Sequence, residues 1–274
     1  MKKLGFIGGG NMAEALARGL IAHKVFKPAD LIVSDVDAAR RRKINRALKV
    51  AVTPDNREVV RESGAILIAV KPQHIGEAIR DIAEAQTASK LKGKLFISIA
   101  AGITIARLTS ALGAKARVIR VMPNAPAMVG RGMAAMVRSR GASKTDEAFA
   151  LRIFNAVGDA VALGDEALLD PVTALSGSGP AYVYLFVKAL ADAAANEGIP
   201  RNLALRMALK TVEGAEYNMR MSKLTPAELI RIVASPGGTT EAALKRFAAT
   251  GFSDIVAAAV HAAADRSREL GRNH

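Results

Sequence analysis

The opening of the chain constrains its fold more than any other stretch. Lys2 to Ile7 (KKLGFI) reads as a short apolar strand, and an amphipathic helix follows through about Ile21, with Ala15, Leu16 and Leu20 on its inner face. The turn between them carries Gly8–x–Gly10–x–x–Ala13. This is the spacing of a dinucleotide-binding turn, with alanine in the third place. The first glycine makes the turn and the second lets the backbone approach a pyrophosphate. The small third residue lets helix and strand pack closely. Alone the spacing is a weak signal; between a strand and a helix it gains weight.

The next strand, Asp30 to Val33, ends in Ser34, Asp35, Val36 and Asp37. An acidic residue about 20 positions after the glycines is where the adenosine ribose is read. Asp35 suits the two ribose hydroxyls of NADH and would repel a 2′-phosphate. Two unit charges 4 Å apart cost about 1 kcal/mol in water and about 4 kcal/mol near a protein surface. Ser34, Arg40 and Arg41 argue the other way, since each could serve a phosphate. We read the arginines as a solvated helix face.

Strand and helix signals then alternate. Val50 to Val52 is a short strand, and Pro54–Asp55–Asn56 opens a helix. Ala65 to Val70 (AILIAV) is a continuous apolar run, as expected of a buried parallel strand, and ends in Lys71–Pro72–Gln73. Leu95 to Ile99 leads to Ala100, and Val118 to Met122 leads to Pro123–Asn124. Gly132 to Val137, a helix over Lys144 to Val157, and Ala160 to Leu163 complete the alternation. Residues at the carboxyl ends of such strands face the ligand crevice, which makes Lys71 a candidate for a cofactor phosphate or ribose. From about Gly164 only helical patterns remain: Asp165 to Leu175, Pro180 to Glu197, Arg201 to Met221, Pro226 to Val233, Glu241 to Thr250 and Asp254 to Leu270. The expected class is α/β: an N-terminal Rossmann-type dinucleotide-binding domain over residues 1–163, then an all-α substrate and dimerisation domain over 164–274. Helices that are apolar on several faces bury them against a second subunit.

Two small, glycine-rich stretches precede helices in that second half. Leu175 to Tyr182 reads LSGSGPAY, and Ser235 to Thr240 reads SPGGTT. The first is expected to be a tight, polar helix entrance with free N–H groups, with a serine capping and Pro180 in the first turn. The second resembles it, and the two would make walls of one anion pocket. Thr225–Pro226–Ala227–Glu228 reads as a capping box, and Ser253 as a further cap.

Composition narrows the function classes. The 274 residues hold no cysteine, which excludes disulfides, thiolate metal sites and cysteine nucleophiles and fits a reducing, cytoplasmic setting. No metal site is expected. His23, His74, His261 and His274 fall outside the two glycine-rich loops and read as surface or helix-face residues. The glycines and Asn11 and Glu14 interrupt any signal-peptide core, and no apolar run is long enough for a membrane span. The formal charge is +14, but the basic residues are scattered and lack interleaved aromatics, so nucleic acid is not the expected partner. A positive field that draws in a phosphorylated cofactor and an anionic substrate accounts for the sign.

Taken together, GFIGGGNMAEAL, AVKPQ, VMPNAP, LSGSGPAY and SPGGTT resemble the pyrroline-5-carboxylate reductases, in the family's order and over essentially the whole chain. SPGGTT in a helical domain after a dinucleotide fold is the specific element. The resemblance implies reduction of 1-pyrroline-5-carboxylate to L-proline by NADPH or NADH. It implies that Gly8, Gly10, Asn11 and Met12 hold the pyrophosphate. Ser34 and Asp35 face the adenosine ribose, with Asn56 nearby. Ala69, Val70, Lys71 and Pro72 line the cofactor crevice, and Ala100, Met122, Pro123 and Asn124 sit near the nicotinamide. The backbone of Gly237, Gly238 and Thr239 binds the substrate carboxylate, the Thr240 hydroxyl meets the ring nitrogen, and Ser176 and Ser178 close the pocket. A homodimer follows from the same resemblance, with further assembly into a ring of dimers.

Two positions depart from the family. Lys188 stands where the long helix usually carries glutamate, and Asp35–Val36 lacks the neutral or basic pair of a strict NADPH enzyme. The rival β-hydroxyacid dehydrogenases need a lysine where this chain has Val183, and an asparagine where it has Val187. A non-catalytic dinucleotide sensor would need neither glycine-rich loop of the second half. A protonated cyclic imine is already electrophilic, so position matters more than a strong acid. Near-attack geometry contributes about 7–11 kcal/mol.

Overall fold

A computed structural model describes residues 2–85, 91 and 93–272. Its eight-stranded sheet has the order β3-β2-β1-β4-β5-β6-β7-β8. The strands are β1 (Lys2–Ile7), β2 (Leu31–Ser34), β3 (Ala51–Thr53), β4 (Ser63–Ile68), β5 (Leu95–Ser98), β6 (Arg117–Pro123), β7 (Gly132–Arg138) and β8 (Gly158–Ala162). All neighbours run parallel except β6 and β7, which pair antiparallel.

The continuous apolar runs have a direct physical cause. Successive side chains of a strand point to opposite faces, and helices cover both faces of this sheet. Leu4, Phe6, Leu31, Val33, Leu67 and Ile97 pack on one face. There they meet α1 (Asn11–Ala22), α2 (Ala38–Leu48) and α6 (Lys144–Asn155). Ile7, Ile32, Ile66, Ile68 and Phe96 pack on the other. There they meet α3 (Asn56–Glu62), α4 (Ile75–Ala85) and α5 (Ile105–Leu112). Both faces are therefore apolar, and buried polar strand residues such as Ser34 and Ser98 stand at strand ends.

The contacts divide the chain into two compact units. The first runs through Ser178 and takes in the residues from Ala263 onward; the second is Gly179–Ala262. The division falls later than the 163/164 boundary expected from the sequence. Leu169 is buried against Ala135 and Val137 of β7, and the Ser267 hydroxyl donates to Asp170 at 2.6 Å.

The second unit contains α7 (Gly179–Asn196), α8 (Arg201–Ser222), α9 (Pro226–Val233) and α10 (Thr239–Ala249). The first part of α11 (Phe252–Arg272) also belongs to it. Its buried core is Val187 and Ala191 of α7 against Ala204 and Ala208 of α8. Thr225 caps α9 as expected: its hydroxyl accepts from the Glu228 N–H, and Glu228 accepts from the Thr225 N–H. Ser253 is not a cap, because α11 already begins at Phe252. Large apolar side chains stay exposed along this unit, among them Leu185, Leu209, Ile232 and Ile255. Among the described residues no single helix is long and apolar enough to cross a membrane, although α10 and α11, bent by 52°, reach that composition as a pair.

One ion pair ties β6 to α6 in the first unit. Arg117 of β6 grips the Asp146 carboxylate through two nitrogens and donates to the Gly93 carbonyl at 2.9 Å. Asp146 also closes the capping box of α6 with Ser143. Burial acts to raise the Asp146 carboxyl, but Arg117 and Ser143 overcome it and hold it below the ordinary carboxylate value. This stability is complete above the unfolded value of about pH 4 and is lost as pH falls through the depressed folded one. Asp146→Ala is expected to lower unfolding free energy by about 2–3 kcal/mol at pH 7. Urea unfolding of both proteins from pH 7 to pH 3 should show the difference shrinking toward acid.

Candidate functional site

The strand order reverses direction between β1 and β4, and a crevice opens there beyond the carboxyl ends of both. It measures about 650 Å³ and is bordered by Gly8, Gly10 and Asn11 on one side and by Ala69, Val70 and Lys71 on the other. Asp35, Arg40 and Asn56 close its far end.

The glycine turn is shaped for a close ligand. Gly8 sits at φ +94°, and a Cβ there would lie 3.0 Å from the Ala69 carbonyl. Its N–H donates to the Ser34 carbonyl at 3.0 Å, and the Ala69 N–H donates to the Ile7 carbonyl at 2.8 Å. Gly10 has the opposite surroundings, with nothing within 4 Å of a Cβ built on it. It caps α1 without any side-chain hydrogen bond. The first N–H groups of α1 are therefore presented to the crevice beside a bare glycine, an arrangement that fits a pyrophosphate. Ala13 is buried against the sheet, as the third small residue should be.

Asp35 does more than face outward. Its Oδ2 accepts from the Gly9 N–H and its Oδ1 from the Asp37 N–H, each at 2.8 Å. The acidic residue thus ties the end of β2 to the glycine turn. Arg40 crosses the same turn, donating through Nε to the Gly9 carbonyl and through Nη2 to Asn11 Oδ1 at 3.1 Å. It also pairs with Glu14 at 3.0 Å. The reading of Arg40 as a solvated face is corrected here, since its side chain is only 17% exposed. Arg41 donates through Nη1 to the carbonyls of Asp35 and Val36.

Ser34 is fully buried and does not reach the crevice. Its hydroxyl lies 2.6 Å from Asn56 Oδ1, and Asn56 Nδ2 donates to Asp81 at 2.7 Å. Ser34 and Asp81 together fix the Asn56 amide from both ends. Asp81 is a partner the sequence reading missed. It lies on a helix face with no motif to mark it. His74 and Glu77, also outside the motifs, line the crevice. Met12 is partly buried against the core, and Pro72 opens a short 3-10 turn. His274 lies outside the described residues.

A second crevice of about 240 Å³ lies beyond β5 and β6. Ala100, Met122 and Ser178 line it together with Arg266 and Ser267. Pro123 ends β6, and Asn124 follows as the cap of a short 3-10 turn. The Asn124 amide donates to the Ser176 carbonyl at 3.1 Å and accepts from the Met133 N–H at 2.8 Å.

The LSGSGPAY stretch departs from expectation. No free helix entrance forms at Ser178: a short helical stretch from Leu169 passes into a π turn over Thr173–Gly177, and the Ser178 N–H donates to the Thr173 carbonyl at 2.8 Å. α7 then starts at Gly179 with Pro180 in its first turn, as expected, and the Ser176 carbonyl inside the π turn takes the Asn124 donor. The Ser176 hydroxyl is buried without a hydrogen-bond partner.

In the second unit the SPGGTT turn runs into α10. Gly237 adopts φ +72° and donates its N–H to Glu241 at 2.8 Å, while the Gly238 N–H donates to the Ser235 carbonyl at 3.0 Å. The Gly237 N–H and the Lys245 ammonium, 3.0 Å away, hold the Glu241 carboxyl below its ordinary value. Thr239 and Thr240 form the first turn of α10, which no side chain caps. Lys188 pairs with Asp192 at 2.6 Å on the exposed face of α7.

The glycine turn and its crevice fit a dinucleotide, and comparison with known proteins shows the family. Residues 3–102 match the family model described as NADP oxidoreductase, coenzyme F420-dependent, and residues 166–270 match pyrroline-5-carboxylate reductase dimerisation. The pyrroline-5-carboxylate reductase of Synechocystis is 42% identical over 98% of both chains. That of Arabidopsis thaliana is 41% identical over 99% of this chain and 96% of its own. The chain belongs to the pyrroline-5-carboxylate reductase family. The Coxiella burnetii reductase structure superposes with a TM-score of 0.92 at 32% identity, covering 98% of each chain. The Plasmodium falciparum enzyme, solved with NADP bound, superposes with a TM-score of 0.86, also at 32% identity and 98% coverage of each. A prephenate dehydrogenase from Aquifex aeolicus shares the fold at 14% identity and a TM-score of 0.54.

The two glycines should separate folding from cofactor binding. Gly10→Ala is expected to keep the melting temperature of the parent and weaken dinucleotide binding about tenfold or more, because the new methyl enters the open crevice. Gly8→Ala is expected to lose binding and also about 1–3 kcal/mol of stability from its positive φ. Calorimetric melting and a fluorescence titration with reduced dinucleotide check both.

Proposed function

We propose that the chain reduces 1-pyrroline-5-carboxylate to L-proline with NADH or NADPH, acting as a homodimer. The observation that carries the reading is the full-length match to reductases at about 40% identity, joined to a crevice that has the dinucleotide spacing and an uncapped helix start. The cofactor, when bound, supplies a hydride to the carbon of the imine bond.

The chain's own residues bind and orient. Gly8, Gly10, Asn11 and Met12 serve the pyrophosphate, and Ala69, Val70, Lys71 and Pro72 form the opposite wall. Ala100, Met122, Pro123 and Asn124 serve the nicotinamide end, with Ser176 and Ser178 beside them. The unpartnered Ser176 hydroxyl supports that placement, since a buried hydroxyl with no acceptor needs one from a ligand. The substrate carboxylate belongs at the start of α10, where backbone N–H groups and the helix dipole favour an anion. Gly237 and Gly238 already donate within the turn, so the N–H groups of Thr239 and Thr240 carry most of that contact.

Thr240 orients the ring nitrogen. With the substrate as the iminium, the Thr240 hydroxyl oxygen accepts from its N–H, and hydride arrival at the neighbouring carbon leaves the secondary amine of proline. The nitrogen already holds its proton, so no strong acid is required during the transfer. The exposed apolar faces of α7 to α11 support the homodimer, and a ring of dimers is the larger assembly the same family reading carries. A cytoplasmic location belongs to this reading and rests on the cysteine-free composition.

Initial rates of NADH and NADPH oxidation with 1-pyrroline-5-carboxylate test the reading, and no turnover with either cofactor would overturn it. Thr240→Ala is expected to lower kcat/KM by roughly 10- to 150-fold, the cost of one hydrogen bond to a charged group at about 1.5–3 kcal/mol. An unchanged kcat/KM would remove Thr240 from the site.

A further inference from the structure

We infer that Asp35 makes this chain selective for NADH over NADPH, by accepting the adenosine ribose hydroxyls and repelling a 2′-phosphate. The inference rests on the crevice being the cofactor site of the reductase reading.

Four observations carry it. First, the Asp35 carboxylate borders the crevice and is held there by two N–H donors, from Gly9 and Asp37, at 2.8 Å each. An ionised carboxylate offers about four acceptor positions, so a ribose diol can still be taken. Second, the hydroxyl that would serve a phosphate is out of reach. Ser34 is fully buried, and its Oγ lies against Asn56 and the Phe6 carbonyl. Third, the arginines are held by the backbone around the glycine turn. Arg40 spans the Gly9 carbonyl, Asn11 and Glu14, and Arg41 Nη1 serves the Asp35 and Val36 carbonyls. A bidentate grip on a 2′-phosphate would have to compete with these contacts. Fourth, the ribose end is acidic. Asp37 also borders the crevice, and Asp81 stands behind the Asn56 amide.

Lys71 is the other cation on the crevice wall, but it follows β4, two strands from β2. At about 4.8 Å per strand that is roughly 10 Å from the ribose end. It does not screen Asp35.

The test begins with binding. Full-length protein without substrate is titrated with NADH and with NADPH at one ionic strength, following nucleotide fluorescence. NADH is expected to bind at least tenfold tighter. Asp35→Ser is expected to move the ratio of the two dissociation constants by tenfold or more toward NADPH. Because Asp35 also anchors Gly9, a second arm uses the unaltered protein alone: ADP-ribose and its 2′-phosphorylated form compete against bound NADH, and the unphosphorylated fragment should win by a similar factor. Equal or tighter NADPH binding in the parent, or a ratio unmoved in Asp35→Ser, overturns the inference. Turnover of 1-pyrroline-5-carboxylate with NADPH preferred would overturn it and leave the reductase reading intact. NADH-selective binding with no turnover would do the reverse.

Discussion

The carboxyl edge of the sheet depends on one constraint: the chain must leave β1 and enter α1 within three residues, pressed against the backbone that follows β4. Only a residue without a Cβ tolerates φ +94° with the Ala69 carbonyl 3.0 Å from where that Cβ would be. Once the turn is made, its N–H groups and carbonyls must be used. Asp35 takes the Gly9 N–H, Arg40 takes the Gly9 carbonyl, and Ser34 supplies a carbonyl to Gly8. The ends of β1 and β2 and the start of α2 are thereby fixed relative to one another. The crevice is the space left over.

The sheet was legible because burial on both faces forces a simple pattern. AILIAV has no polar alternate and LFISI only the small, buried Ser98, and parallel neighbours with helices on either side are the arrangement that asks for few. The glycine spacing and the acidic residue after β2 were legible for a similar reason, since each follows from geometry at the switch point. What stayed hidden were contacts between side chains far apart in sequence. Nothing in RRRK tells that Arg40 folds back onto the glycine turn while Arg42 stays outside it. Nothing marks Asp81 as the partner of Asn56.

LSGSGPAY shows a different limit. Local preference suggested a helix start at Ser178, since serine and proline favour that position. α7 does begin there, at Gly179 with Pro180 in its first turn, but the chain was already helical from Leu169 and joins it through a π turn whose Ser176 carbonyl is held by Asn124. Propensity scores a residue against its near neighbours, but the deciding partner lay 52 positions away. The boundary between the units lies later for the same reason, because the strand signals ended at Leu163 while Leu169 still packed on β7.

The four-residue core of the second unit has a thermodynamic consequence. Val187, Ala191, Ala204 and Ala208 are its buried apolar residues among those described, and three of them are alanines. Ordering each residue of such a unit costs roughly 1–2 kcal/mol of conformational entropy, which so small a core does not offset. The missing burial has to come from the exposed apolar faces of its helices when another chain covers them. Folding of this half is then a second-order process. Its midpoint in heat or urea rises with the amount of protein present, and dilution acts on it as a denaturant does.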